Sequence, residues 1–292
     1  MKLRTISGWL GFLLIAAAAA AEPDPDPDPD PISEGDLVLF MNSEAAAPGQ
    51  VDEFGETPVD ILNNASDGRQ VVTVDLKPGW TFKLPATRLR SMELIVLNGE
   101  LLWKDTVLRV NDYAFLPASA PAPRLAAGLN GASALIFLDP YSDTDGEKEK
   151  ILHTGQMEWR PGVVAQRDTG LALKLEVLDL LWVESTGQRT WLLRAGPDLT
   201  VPWEIHQGVE EGYLLEGDYR MGECLPGDNE PITGNYEPGG YFYRPGGIVH
   251  SGPESGSKSG ALWLLRTPTR LTVDFVDGCS KKPLKAIVDK PD

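Results

Sequence analysis

Histidine and cysteine are scarce in this 292-residue chain, at three and two, and its 26 basic side chains face 43 acidic ones. Each shortage excludes something. Two cysteines cannot build a disulfide-dense scaffold, and Cys224 and Cys279 lack the close spacing of thiolate metal sites. A formal charge of −17 makes nucleic acid and anionic membrane surfaces poor partners, because phosphate binding depends on Lys and Arg. A cationic or neutral small molecule suits that field better. The apolar run Trp9 to Ile15 falls short of the roughly 20 residues that span a bilayer. No long helical period of apolar residues competes with the short β-type runs described below, which excludes a helix bundle.

What is present begins with Lys2 and Arg4, the apolar run and alanines ending at Ala21, the layout of a secretory signal peptide over residues 1–21. The chain is therefore expected to be exported, to the periplasm or outside the cell, and to keep no stable membrane span after cleavage; a retained N-terminal anchor is the alternative. Loss of Lys2 and Arg4 takes the formal charge from −17 to −19. Residues 22–33 hold the alternating EPDPDPDPDP run, an extended, hydrated spacer. In an oxidising compartment Cys224 and Cys279 are expected to pair, two buried thiols being the alternative. Closing a loop of that length stabilises by about 4 kcal/mol in the chain-entropy model.

The remaining residues, about 260 in number, predict an all-β fold. Runs such as QVVTVDL, MELIVLNGEL, YAFLP, SALIFL, RTWLLRA, GYLLEGDY, GYFYRP and GALWLLRT are β-branched or aromatic and are separated by Gly, Pro, Asn or Asp. They also repeat. MELIVLNGEL aligns with EEGYLLEGDY when Gly99 is placed on Gly217, an offset of 118, and YAFLPAS aligns with YFYRPGG with Pro117 on Pro245, an offset of 128. Two tandem β units are expected, over 34–145 and 155–280, followed by a tail over 281–292.

The second unit carries a ligand pattern. Glu204, His206 and Glu210 precede Gly217, and Gly239, Pro245 and Gly247 precede His250. On an extended strand Glu204 and His206 share a face, a turn through Gln207 and Gly208 returns Glu210 beside them, and His250 arrives from a paired strand. Neutral imidazole and carboxylate are the usual protein ligands of borderline first-row metals. Glu211 should face the opposite side of its strand from Glu210. Trp203, Tyr213, Tyr241 and Tyr243 flank these strands and are the substrate-binding candidates, with core packing as their default role.

This pattern resembles the two motifs of the cupin superfamily, Gly-x5-His-x-His-x3-4-Glu-x6-Gly and Gly-x5-Pro-x-Gly-x2-His-x3-Asn. His206, Glu210, Gly217 and the second motif through His250 match; Glu204 stands where the first His would be, Glu254 replaces the final Asn, and Gly196 comes two residues early. The resemblance covers both halves, so the chain looks like a bicupin, nearest to the poorly characterised ChrR-like cupins. It implies two tandem double-stranded β-helix (jelly-roll) barrels. It also implies one divalent first-row metal per chain, Mn, Fe, Zn or Ni, held by His206, Glu210 and His250, with Glu204 as a fourth ligand or as the catalytic acid or base. In the first copy the same register sets Ala86, Arg88, Met92 and Ala122 at Glu204, His206, Glu210 and His250, which leaves no metal site there. The resemblance implies a metal-dependent oxygenase, isomerase or lyase acting on a small molecule, or equally a non-catalytic sensor or binding module. A storage-type bicupin is the third reading, and homo-oligomers occur in the superfamily.

Overall fold

Strand positions follow the β-branched runs: QVVTVDL and RTWLLRA become the strands Gln70–Leu76 and Arg189–Ala195 without a residue added or lost. The computed structural model describes residues 38–40, 42, 46–65, 68–84, 90–121, 123–140, 147–162, 175–280 and 282–283. The expected signal peptide, the Asp-Pro spacer, Ala86, Arg88, Ala122 and most of the 281–292 tail lie outside them. The described residues all belong to the unit spanning 31–292. Among them no helix is long and apolar enough to cross a membrane.

The strands form two tandem jelly-roll barrels. The first copy is a nine-stranded sheet built on the long pair Arg90–Trp103 and Arg124–Pro140. The second has a seven-stranded sheet centred on Glu210–Gly217 and Ala261–Thr267, and a six-stranded sheet containing Tyr219–Cys224, Val249–Gly256 and Trp203–Ile205. The repeat holds at the level of register. Met92 faces Leu116 where Glu210 faces Arg244, and Gly99 faces Ala132 where Gly217 faces Ala261. Both glycines follow a β-bulge with positive φ, +72° and +86°, and a Cβ on either would collide with the backbone carbonyl of Gly131 or Gly260. That is why glycine marks this turn in both copies.

The copies are joined by exchanged edges. Val38–Phe40 pairs with Tyr241–Arg244 of the second copy, and Lys150–Leu152 pairs with Tyr113–Leu116 of the first. Each added strand covers an edge that would otherwise be open. Between the copies lies an apolar layer including Ile95, Phe115, Leu135, Leu180, Leu192 and Leu264.

Within that layer one cation, Arg266, is buried against three carboxylates. Its Nε meets Glu93 Oε1 at 2.8 Å and its Nη1 meets Glu211 Oε1 at 2.9 Å, while Nη2 meets Asp139. Tyr113 and Tyr241, repeat partners, donate to Glu93 (2.6 Å) and Glu211 (2.9 Å). Burial raises Asp139, Arg266 opposes this, and the charges of Glu93 and Glu211 add to it, so its carboxyl is pushed up to about 7 from 3.8. The Arg266 contact and the more remote charge of Arg69 favour the ionised form, but burial and two further carboxylates outweigh them. Between pH 4 and 7 the unfolded chain then binds fewer protons than the folded one, so this group's contribution to stability declines as pH rises through that window. Denaturant melts of the wild type and Asp139→Asn should show the wild type's relative advantage largest near pH 4 to 5 and shrinking towards pH 7; a difference independent of pH would contradict the assignment.

Candidate metal centre

Two backbone devices assemble the centre in the second copy. Glu204 lies directly opposite His250 in the antiparallel pair of Trp203–Ile205 with Val249–Gly256, which brings their Cβ atoms to about 5 Å. The turn Pro245-Gly246-Gly247 then docks on the end of the first motif: Gly247 N–H donates to the His206 carbonyl at 2.7 Å. A Cβ on Gly246 would collide with the Gln207 carbonyl, and Gly247 has φ +86°. These two glycines are the hinge by which one motif lies against the other.

The imidazoles are oriented from behind. His206 Nδ1 is 2.8 Å from the Thr272 carbonyl and His250 Nδ1 is 3.2 Å from the Ile248 carbonyl. A carbonyl only accepts, so each Nδ1 carries the proton and each Nε2 points to the carboxylates. His250 Nε2 lies 3.4 Å from Glu204 Oε1 and 3.5 Å from Glu210 Oε2, and His206 Nε2 lies 3.6 Å from Glu210 Oε2. Ligand atoms of Glu204, His206 and His250 fall within 4.8 Å of one another. Burial pushes the Glu204 carboxyl up, but when the two imidazoles are protonated at Nε2 as well, the hydrogen bond from His250, both imidazolium charges and the Ser251 hydroxyl hold it down at about 2. A disulfide joins Cys224 to Cys279. It tethers the strand Asp274–Asp277, which pairs with Trp203–Ile205, and so holds the segment that supplies the Thr272 carbonyl.

The same cavity, about 420 Å³ in volume, contains groups that motif reasoning did not flag. Arg244 is buried and donates through Nη1 to Glu210 Oε2 at 2.8 Å; Nε and Nη2 grip Glu223 at 2.7 to 3.0 Å. The clue was in the repeat, since Arg244 and Glu210 take the register of Leu116 and Met92. In the first copy those positions belong to the apolar core. Three carboxylates, Glu204, Glu210 and Glu223, against one guanidinium leave two negative charges in the second barrel. Arg189, Arg160, Trp191 and Trp263 also line this cavity. A wider open groove of about 820 Å³, lined by both copies, holds none of the four ligand candidates.

The aromatic candidates are corrected. Tyr213, Tyr241 and Tyr243 lie in the apolar layer between the copies, and none lines the cavity. Strand alternation is the reason: Phe242 and Arg244 face inward, so Tyr241 and Tyr243 face out, with Glu211 beside Tyr241. Trp203 faces away from its neighbour Glu204, with its ring packed over Gly222 and Gly252 in the cluster that includes Cys224 and Cys279.

Neither a family model nor a curated protein matches this sequence. Solved structures do share the arrangement. A presumptive dioxygenase from Nostoc punctiforme PCC 73102 is 18% identical with a TM-score of 0.55, covering 89% of this chain and 86% of that one. A mutant oxalate decarboxylase from Bacillus subtilis is 14% identical with a TM-score of 0.53, covering 86% and 81%. Procruciferin, an 11S globulin from Brassica napus, is 9% identical with a TM-score of 0.53, covering 83% and 87%. The chain has the bicupin fold. Since that fold is shared by an oxalate decarboxylase and an 11S globulin, what this chain does must be argued from its side chains.

Removing Arg244 alone leaves Glu210 and Glu223 buried without their cation, which costs about 3–5 kcal/mol. Thermal melts of the metal-free protein should therefore show Arg244→Leu well below the wild type, and the triple change Glu210→Met, Glu223→Gln, Arg244→Leu largely recovered. A single variant as stable as the wild type would show that the pairing carries no weight.

Proposed function

We propose that this bicupin is an exported protein whose second barrel holds one divalent first-row metal ion and acts as a metal-dependent enzyme on a small molecule, of oxygenase, isomerase or lyase type. By the run of its halves we place it nearest the ChrR-like cupins. The supporting observation is the charge and donor inventory of the cavity. Two imidazole Nε2 atoms and two carboxylates converge there, and the two uncompensated negative charges equal the charge of one divalent cation. Ligand atoms about 2.1 Å from a common ion at tetrahedral angles stand about 3.4 Å apart; three of the separations here, His250 to Glu204 and Glu210 and His206 to Glu210, are 3.4 to 3.6 Å, and the group whose ligand atoms all lie within 4.8 Å of one another is Glu204, His206 and His250. Nitrogen and oxygen donors in this ratio suit Mn, Fe, Zn or Ni.

The bound ion supplies Lewis acidity, polarising a substrate oxygen or acidifying water. The chain's own residues divide the remaining work. Arg244 holds Glu210 ionised and in place through Nη1, so Glu210 serves to hold the ion. Glu204 accepts a hydrogen bond from the Ser251 hydroxyl at 2.9 Å and faces His250; it is either the second carboxylate on the ion or, off the ion, the acid or base that exchanges a proton with the substrate. Val177, Leu193, Trp263 and Leu265 give the same cavity an apolar wall. The leader-like first 21 residues and the Cys224–Cys279 disulfide support export.

Elemental analysis of native protein should find one first-row divalent ion per chain, and His206→Ala and His250→Ala should each weaken its retention at least ~10-fold. Native protein without stoichiometric metal, or full retention by both variants, would sink the reading. Turnover that disappears on chelation and returns on re-addition of the ion separates an enzyme from a binding module.

A further inference from the structure

The acidity of the chain as a whole favours a cationic or neutral ligand, but one side of the cavity reverses that sign locally. Arg160 and Arg189 both line it and share a single carboxylate, Asp179: Arg189 Nε lies 2.8 Å from Asp179 Oδ1 and Arg160 Nε lies 3.0 Å from Oδ2. Two guanidiniums against one carboxylate leave one positive charge. Register places it beside the metal centre. Arg189 faces Thr267 on one flank of the strand Ala261–Thr267, and Glu211 faces Arg266 on the other. Arg189 and Glu210 therefore stand in one row on either side of Thr267. The guanidinium of Arg189 is further fixed over the Trp191 ring, 4.5 Å from its centroid.

The first copy supplies the internal comparison. By the same strand register Gln70 stands for Arg189, Ile61 for Asp179 and Val72 for Trp191. The charged rim therefore exists in the copy that has the His-Glu cluster and is missing from the described residues at these positions in the copy that does not. Once a divalent ion has balanced the inner carboxylates, the rim carries the cavity's one remaining unmatched charge. A guanidinium fork recognises carboxylate and phosphate alike, but a phosphate monoester carries about −1.5 to −2 near neutral pH, whereas the excess here is a single charge. Val177, Leu193, Trp263 and Leu265 line the same cavity as the rim and the centre.

We infer that the cavity's ligand is an organic monocarboxylate with an apolar body, its carboxylate received by Arg189 with Arg160 beside it. This rests on the metal-enzyme reading for the charge balance of the inner carboxylates, and Asp179 is the positioning residue that holds both guanidiniums at the rim.

The test uses the full metal-loaded chain and three matched pairs, acetate with acetamide, hexanoate with hexanamide, and benzoate with benzamide, plus phenyl phosphate. Binding is read by calorimetry and by the fluorescence of Trp191 and Trp263. At least one carboxylate should bind ten-fold or more tightly than its amide and more tightly than phenyl phosphate. Arg189→Gln should remove that preference while metal content stays at the wild-type value, and Arg189→Lys should restore part of it. Amides binding as well as their carboxylates in all three pairs, phenyl phosphate binding tighter than every carboxylate, or a preference that survives Arg189→Gln would overturn the inference. Failure of the metal reading appears separately, as protein that takes up no ion; the same comparison on metal-free chain then decides the role of Arg189.

Discussion

Two negative charges left inside a barrel are the constraint on which the rest of the second copy depends. Glu204 and Glu210 line a cavity whose Arg244 also grips Glu223 behind the wall. Burial of an uncompensated carboxylate costs several kcal/mol, so a fold selected for stability alone would replace it. The first copy does so, with Met92 and Leu116 packed in the same register. One chain thus contains both solutions to the same strand pairing, an apolar one and a charged one.

The backbone serves that centre at few points. Opposed placement in one strand pair sets Glu204 against His250, and a glycine pair lets the Pro245 turn lie on the His206 carbonyl. Two backbone carbonyls fix the imidazole tautomers. The disulfide tethers the segment that supplies one of those carbonyls. Each of these contacts acts from behind the ligand atoms, which leaves the cavity side open to a ligand.

Between the copies the same economy of charge recurs with a different outcome. Arg266 is surrounded by Glu93, Glu211 and Asp139, and it does not line the cavity of the second barrel. There the excess is relieved by a carboxyl that keeps its proton to about pH 7. The contrast shows two ways of burying more acid than base: hold a proton, or present imidazoles that can hold a metal.

The strands, the tandem repeat and the motif positions were legible in the chain because they rest on local chemistry: β-branched runs, glycines forced to positive φ at Gly99 and Gly217, and a fixed spacing from Glu204 to Glu210. Facing was legible for Glu211, where simple alternation from Glu210 decides it. It was not legible for Tyr213, Tyr241 and Tyr243, because an aromatic fits either face of a strand and only the second barrel's contact with the first determines which face is core. Arg244, Glu223 and Arg189 escaped for a related reason, since a charged residue in a strand reads as solvated until the closing of the barrel shows it turned inward. Composition determined the sign of the whole chain's field, and tertiary structure alone decided that two arginines sharing Asp179 reverse it at the cavity's rim, because charge acts over the few ångströms that folding sets.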